Sequence, residues 1–297
     1  MNDPTIGLMV IPGYNTGAGI LLVESLRRFG GALAGMPVDV LVPTGYGELS
    51  GDEHRRFGKL AVSPRSFELS AAYAHFPFAA KVAAAAVAEQ AAAGSGSFVW
   101  MDTESLILAE PWCFHLPAGT NLAYRPVDHT LIGSRLAQPP DAFWSSIYED
   151  CGVPADSLFS MTASVDGETL RPYFNAGLLV VDPRVGLLRA WHSTFDRLYT
   201  ASRYKEFYER DHLYAVFMHQ AVLAGVLLAS CRPVDMVELP HQVSYPLHMH
   251  GQYPEALRPA RLNDLMTCRY ESFFTSPDWR GMIAVEEPLD RWLSEHF

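Results

Sequence analysis

The sequence predicts an α/β chain built on a mostly parallel central sheet. Three observations carry this prediction. The chain opens with a strand, a glycine-rich turn and a helix that lead to a second strand; an alanine-rich helix delivers a tryptophan-bearing apolar run; and a later apolar strand, Tyr173 to Pro183, is followed by another helix. At 297 residues, 49% of them hydrophobic, the chain can bury a full core and sits near the upper size of one α/β domain.

Residues Ile6 to Pro12 are apolar and run into Gly13-Tyr14-Asn15-Thr16-Gly17, after which Ile20, Leu21, Leu22, Leu26 and Phe29 recur at helical spacing. Gly30-Gly31 stops that helix, and Pro37 to Pro43 reads as a short buried strand, which completes a β-α-β unit. Phe78 to Ala93 is an alanine-dominated helix with Lys81, Glu89 and Gln90 as polar positions and Gly94 at the expected C-cap. Phe98-Val99-Trp100-Met101 follows as a strand, is interrupted by Asp102-Thr103-Glu104-Ser105, and resumes as Leu106-Ile107-Leu108. Pro111 to Pro140 reads as an irregular connection, Phe143 to Tyr148 as a short amphipathic helix, and Tyr173 to Pro183 as a second strand entered through a polar, small-residue turn. A helix from Val185 to Tyr199, a helical stretch holding His219-Gln220, and a late strand from Val234 to Leu239 complete the reading.

A net charge of −11 argues against the phosphate backbone of nucleic acid as a partner, which selects a basic face. Cys113, Cys151, Cys231 and Cys268 are widely spaced, which indicates neither a zinc ribbon nor a disulfide framework and fits reduced thiols in the cytoplasm. Met1-Asn2-Asp3-Pro4 lacks a basic leader, and no run of about 18 uninterrupted apolar residues appears, so no membrane span is expected.

The Asp102-Thr103-Glu104 element is the sharpest chemical signal. Alternate side chains of a strand share one face, and two carboxylates there can hold a hard divalent cation that neutralises a diphosphate. An ordinary acidic turn is the other reading. An uncompensated carboxylate pair inside an apolar run would be costly, which weighs toward the cation.

Phe98 to Leu108 resembles the metal-binding Asp-x-Asp strand of GT-A glycosyltransferases, with glutamate in the second acidic position. Tyr173-Phe174-Asn175-Ala176-Gly177-Leu178-Leu179 is similar to the Phe-Asn-x-Gly motif of the retaining branch that contains glycogenin and bacterial lipopolysaccharide galactosyltransferases. The two motifs stand in the family's order after a β-α-β opening, so the resemblance covers roughly residues 5 to 245. It implies a Rossmann-like, three-layer α/β/α GT-A fold with a mixed, mostly parallel sheet. It also implies one domain over residues 1–297, with a nucleotide-binding half (5–108), a donor and acceptor half (109–245) and a C-terminal extension (246–297).

The resemblance implies functional residues as well. Gly13, Tyr14 and Asn15 would hold the nucleoside, since the turn after the first parallel strand lies at the ligand-binding edge of such sheets. Lys81 would reach the diphosphate or donor sugar, Asp102 and Glu104 would hold manganese or magnesium, and Asn175 would lie beside the sugar. His219-Gln220 resembles the family's Asp-Gln pair, with histidine in the aspartate's place, and a neutral or cationic imidazole cannot supply that negative charge. No faithful copy of the family's metal-binding histidine segment is present. His248-Met249-His250-Gly251 is the best substitute, with His250 as the ligand if an extended segment aims both rings to one side; a surface or core histidine pair is the alternative. Thr267-Cys268-Arg269-Tyr270 is a second substitute, in which a guanidinium replaces metal charge against phosphate.

The expected function is metal-dependent transfer of a hexose from a nucleoside diphosphate sugar to a hydroxyl acceptor, with a homodimer left open. The alternatives are a non-catalytic nucleotide-sugar-binding protein and, more distantly, an α/β phosphohydrolase with an aspartate nucleophile.

Overall fold

A computed structural model describes residues 3–297; Met1 and Asn2 of the opening segment lie outside the described residues. The first half of the chain runs β1 (Thr5–Met9), α1 (Thr16–Phe29), β2 (Val38–Pro43), α2 (Gly51–Lys59), β3 (Arg65–Phe67), α3 (Ala79–Ala91), β4 (Phe98–Met101), β5 (Ser105–Ile107), β6 (Leu122–Pro126) and α4 (Ala142–Cys151). It continues with β7 (Met161–Thr162), β8 (Thr169–Leu170), β9 (Phe174–Val181), α5 (Leu187–Leu198), α6 (Ser202–Arg210), α7 (Leu213–Ser230) and β10 (Met236–Glu238). The last elements are β11 (Tyr245–Pro246), β12 (Thr267–Arg269), α8 (Trp279–Met282) and α9 (Leu289–His296).

Seven strands form the central sheet in the order β10-β6-β9-β4-β1-β2-β3. β1 pairs in parallel with β2 and β4, and β9 runs antiparallel between β4 and β6. This is the mixed, mostly parallel sheet expected. All eight residues of β9 are buried, as its place between two strands and under helices requires.

Alternation within the strands builds the two outer layers. Phe98 and Trp100 of β4, with Leu179 and Val181 of β9, join the cluster under α3, α4, α5 and α7, whereas Val99, Met101, Leu178 and Val180 join the one under α1. Small side chains let α3 lie close to the sheet. A Cβ on Gly7 of β1 would collide with the Phe98 ring and stand 3.0 Å from Ala88 Cβ.

A second, three-stranded sheet, β11-β12-β5, sits beside the first, and β12 pairs antiparallel with β5 through Arg269↔Ser105 and Thr267↔Ile107. The apolar stretch through the acidic pair is therefore not one strand. β4 and β5 belong to different sheets, and Asp102-Thr103-Glu104 is the bend between them, because Asp102 N–H is captured by the Gly177 carbonyl (2.8 Å) and the Glu104 carbonyl by Tyr270 N–H (3.0 Å).

Other expectations are corrected. Pro111 to Pro140 is not wholly irregular, since it contains β6, whose buried Arg125 is paired with Glu238 (3.0 Å) and the Leu239 carbonyl (2.7 Å). The alanine helix ends at Ala92, which closes its last turn onto the Ala88 carbonyl, two residues before Gly94. The helix predicted over Phe143 to Tyr148 extends to Cys151 because the Asp141 side chain caps it from Trp144 N–H and Gly152 ends it in a left-handed turn. α7 is long and apolar enough to cross a membrane by length and composition; 61% of it is buried within the protein, where it packs on β9, α4 and α5.

Glu89 of α3 is fully buried and accepts the backbone N–H groups of Leu188 (3.1 Å) and Arg189 (3.0 Å) at the start of α5. One helix thus caps another. Glu89→Ala leaves those donors unpaired and is expected to cost about 1–3 kcal/mol in denaturant unfolding. Burial raises the Glu89 carboxyl above the ordinary range. Its stabilising share is therefore full below the unfolded-state value and is lost as pH rises through the folded one, a slope the alanine variant should lack.

Candidate functional site

The carboxyl ends of β1, β4 and β6 and the amino end of antiparallel β9 meet at one edge of the central sheet. Two connected hollows open there, of about 310 Å³ and 440 Å³, sharing Tyr14, Phe78, Lys81, Asp102 and Glu104. A larger hollow of about 590 Å³ opens elsewhere, lined by Ser97, Asn121, Asp182 and Arg184, and holds none of the predicted site residues.

The smaller hollow is the more apolar and lies against the turn after β1. Tyr14, Tyr46, Tyr73, Phe76 and Trp100 line it with Asn15. Asn15 is tied down: its Oδ1 accepts Ile11 N–H (2.6 Å) and its Nδ2 donates to Thr103 Oγ1 (3.1 Å). The first turn is thereby bolted to the acidic bend, with Thr103 turned inward while Asp102 and Glu104 face the cleft. Gly13 has φ 72° and shapes this turn without lining either hollow.

Lys81, on the first turn of α3, is buried along its length, and its Nζ donates to Asp102 Oδ2 at 2.7 Å. Glu104 carries no such ion-pair partner among the described residues. Burial, then Glu271, then Asp102 hold its carboxyl above the ordinary range.

The larger of the two connected hollows is lined by Asp128, Asn175, His219, Gln220, His248, Arg269 and Glu271. Asn175 is the second residue of β9; its Oδ1 accepts Gly177 N–H (2.8 Å) and its Nδ2 faces Asp128 Oδ2 (3.4 Å). Glycine at 177 leaves room for both groups, because a Cβ there would stand 3.0 Å from both Asn175 Oδ1 and Asp102 Oδ2 and push them aside. On α7, Gln220 Oε1 accepts Ala176 N–H (3.4 Å), and His219 Nδ1 lies 2.9 Å from the Val216 carbonyl. A carbonyl only accepts, so Nδ1 carries the proton and Nε2 is a lone-pair acceptor. Burial, reinforced by Lys81, lowers the His219 pKa to about 3, and the ring is neutral at every working pH. The Phe78 ring lies against it, tilted by 31° with centroids 4.6 Å apart.

Phe78, Leu131 and Glu271 all hold left-handed backbone (φ 58°, 43° and 41°) and all line this hollow. Such strain gathers where surrounding structure imposes a geometry on a site.

The segment expected to be extended, Leu247–Gln252, is a 3-10 helix, so its two histidines do not point the same way. His250 is buried with Nδ1 2.9 Å from the Tyr245 hydroxyl and does not line the cleft; His248 does, with Nε2 3.4 Å from Glu271. Arg269, on β12, enters the cleft and pairs closely with Asp128. Asp128 and Glu271 had no signal in the sequence beyond their charge, since each lies in an irregular segment.

Among the described residues, no group of three or more histidine, cysteine or acidic side chains forms a closed metal cage. The donor set nevertheless fits a hard divalent cation. The polar hollow sets four carboxylates (Asp102, Glu104, Asp128, Glu271) against two fixed cations (Lys81, Arg269), an excess of two negative charges. One or two carboxylates, with phosphate oxygens and water, suffice for magnesium or manganese.

A family model described as the Rhodobacterales glycosyltransferase domain matches residues 10–223. No curated relative matches in sequence. The crystal structure of an active-site mutant of LgtC superposes with a TM-score of 0.52 at 11% identity, covering 98% of this chain and 94% of that one, a likeness that shows the fold. The bifunctional glycosyltransferase WbbM aligns at TM-score 0.47 and 14% identity over 99% of this chain, and the glycosyltransferase GlyE of Streptococcus pneumoniae TIGR4 at 0.49 and 11% over all of it. This chain spans 52% of the WbbM chain and 60% of the GlyE chain. With the family model matching most of its length and a GT-A-like sheet beneath, the chain belongs to the Rhodobacterales glycosyltransferase domain family.

Proposed function

We propose that this protein transfers a hexose from a nucleoside diphosphate sugar to a hydroxyl acceptor and depends on Mn²⁺ or Mg²⁺. The observation that carries the proposal is the convergence of Asp102 and Glu104, Lys81, and Asn175 with Gln220 on one cleft with two negative charges in excess. The aromatic hollow beside Tyr14 and Asn15 suits a nucleoside, and the polar hollow beyond Asp102 suits a sugar and its acceptor.

Asp102 and Glu104 would hold the metal, which neutralises the leaving diphosphate. Lys81, fixed on Asp102 and seated between the two hollows, adds a cation where the phosphates would lie. Asn175 is braced by Gly177 and orients the sugar; Gln220, braced by Ala176, lines the same wall. His219 offers its Nε2 lone pair to a sugar hydroxyl and contributes no charge. The whole described chain serves as one unit on this reading, since β12 supplies Arg269 to the cleft. Its four free thiols suit a reducing, cytoplasmic setting.

The neutral His219 favours a second reading, binding of the sugar nucleotide without turnover. The two are separated by incubating the protein and Mn²⁺ with labelled UDP- and GDP-hexoses, with and without simple glycoside acceptors. Release of nucleoside diphosphate with label moving to acceptor or water supports transfer. Saturable binding with no release supports the second reading, and neither binding nor release sinks both.

A further inference from the structure

Transfer of a glycosyl group develops positive charge on the sugar as the bond to the diphosphate stretches, and a carboxylate nearby lowers that barrier. Helix α7 offers none here, because His219 is a neutral imidazole and Gln220 an amide. Asp102 and Glu104 stand on the side of the cleft shared with the nucleoside hollow, with Lys81 fixed on Asp102. Among the described residues, the carboxylate within hydrogen-bond distance of the Asn175 side chain is Asp128, in the segment that leaves β6.

Asp128 is built in. Its Oδ1 accepts the Ser164 hydroxyl (2.9 Å), its Oδ2 faces Asn175 Nδ2 (3.4 Å), and Arg269 closes on Oδ2. The Asp128 and Arg269 side chains are only 12% and 13% exposed, so their charges are poorly screened. Arg269 is not used up by the pair. Its Nε has no partner among the described residues, its Nη1 is 4.0 Å from Glu271, and Asp102 is among the carboxylates that favour its charge. The Asp128 carboxylate thus lies against Asn175, with the Arg269 guanidinium paired to it and within electrostatic reach of Asp102.

We propose that Asp128 is the catalytic carboxylate that meets the charge developing on the donor sugar, with Arg269 turned to the departing diphosphate. The assignment rests on the transfer reading above. In the step, the bond from the sugar C1 to the diphosphate oxygen breaks with its electron pair leaving on that oxygen. The bond from C1 to the acceptor oxygen forms, and the acceptor's hydroxyl proton goes to the released diphosphate. Asp128 takes no proton and forms no bond. It acts as a fixed charge aligned with the separation of charge, which costs no reorganisation at the moment of reaction.

The test is Asp128→Asn, which keeps shape and removes charge. Turnover with Mn²⁺ and a nucleoside diphosphate hexose is expected to fall about 100-fold, while calorimetric affinity for the nucleoside diphosphate stays within about threefold. Retention of turnover within about threefold overturns the assignment. If Asp128→Asn does not fold, Arg269→Gln is compared with the double variant that adds Asp128→Asn, in which neither charge is left alone; a further loss of about tenfold or more supports the assignment, and no further loss overturns it. Absence of nucleotide release by the unaltered chain overturns the transfer reading and this assignment together, whereas turnover that Asp128→Asn leaves intact overturns this assignment alone.

Discussion

Asp102→Ala is expected to lower turnover about 1000-fold and to erase the dependence of nucleotide affinity on Mn²⁺. Two contributions act together. The variant removes one of the two carboxylates proposed to hold the metal, and it frees Lys81, whose Nζ otherwise sits 2.7 Å from Asp102 Oδ2. The second effect gives the substitution a signature of its own. With one negative charge gone from the cleft and an ammonium released, metal-free affinity for UDP or GDP should hold steady or rise while the gain on adding Mn²⁺ disappears. A variant that kept the metal-dependent gain would show that Asp102 serves only to anchor Lys81. Steady-state rates and calorimetry with and without Mn²⁺ read both effects on one preparation.

Gly177→Ala is expected to cost about 100-fold in turnover with little loss of fold stability. The added methyl would stand 3.0 Å from Asp102 Oδ2 and from Asn175 Oδ1, closer than ordinary carbon–oxygen packing, with Arg269 Cδ at 3.7 Å. Both flanking oxygens belong to side chains at the cleft, so they move before the β9 backbone does. Displacing them disturbs the two groups proposed to hold metal and sugar while the core around β9 stays packed. Kinetics together with a thermal melt check this: a large fall in rate at nearly unchanged Tm is expected, and an unchanged rate would mean that the cleft tolerates a shift of both oxygens.

The fold is legible where local pattern and tertiary role agree. The opening β-α-β unit, the alanine helix and the buried runs at Phe98 and Phe174 announce themselves through apolar periodicity, and each is an element of the central layers. β6 is hidden because Arg125 interrupts its apolar pattern, and the partners that let it be buried, Glu238, Leu239 and Tyr253, are more than a hundred residues away in the chain. β5 reads as a continuation of β4 because nothing local reveals that β12 recruits it into another sheet.

The same limit governs the candidate site. Asp102, Glu104 and Asn175 stand in recognisable strings, and they share a cleft. Asp128 reaches that cleft through contacts such as its pairing with Arg269, 141 residues away, which no spacing rule encodes. An extended segment would aim His248 and His250 to the same side; one turn of 3-10 helix separates them and leaves His248, not His250, lining the cleft. His219 is visible in the sequence as a departure, but its fixed neutrality follows from burial and from Lys81 beside it.

Calorimetric titration of UDP and GDP into the unaltered protein, with and without Mn²⁺, tests the central claim most directly. A cleft with two negative charges in excess should bind a nucleoside diphosphate weakly alone and tighten about tenfold or more when the metal is added. Equal affinity with and without Mn²⁺ would contradict the metal site at Asp102 and Glu104, and binding of neither nucleotide would contradict the assignment of the cleft to a nucleoside diphosphate sugar.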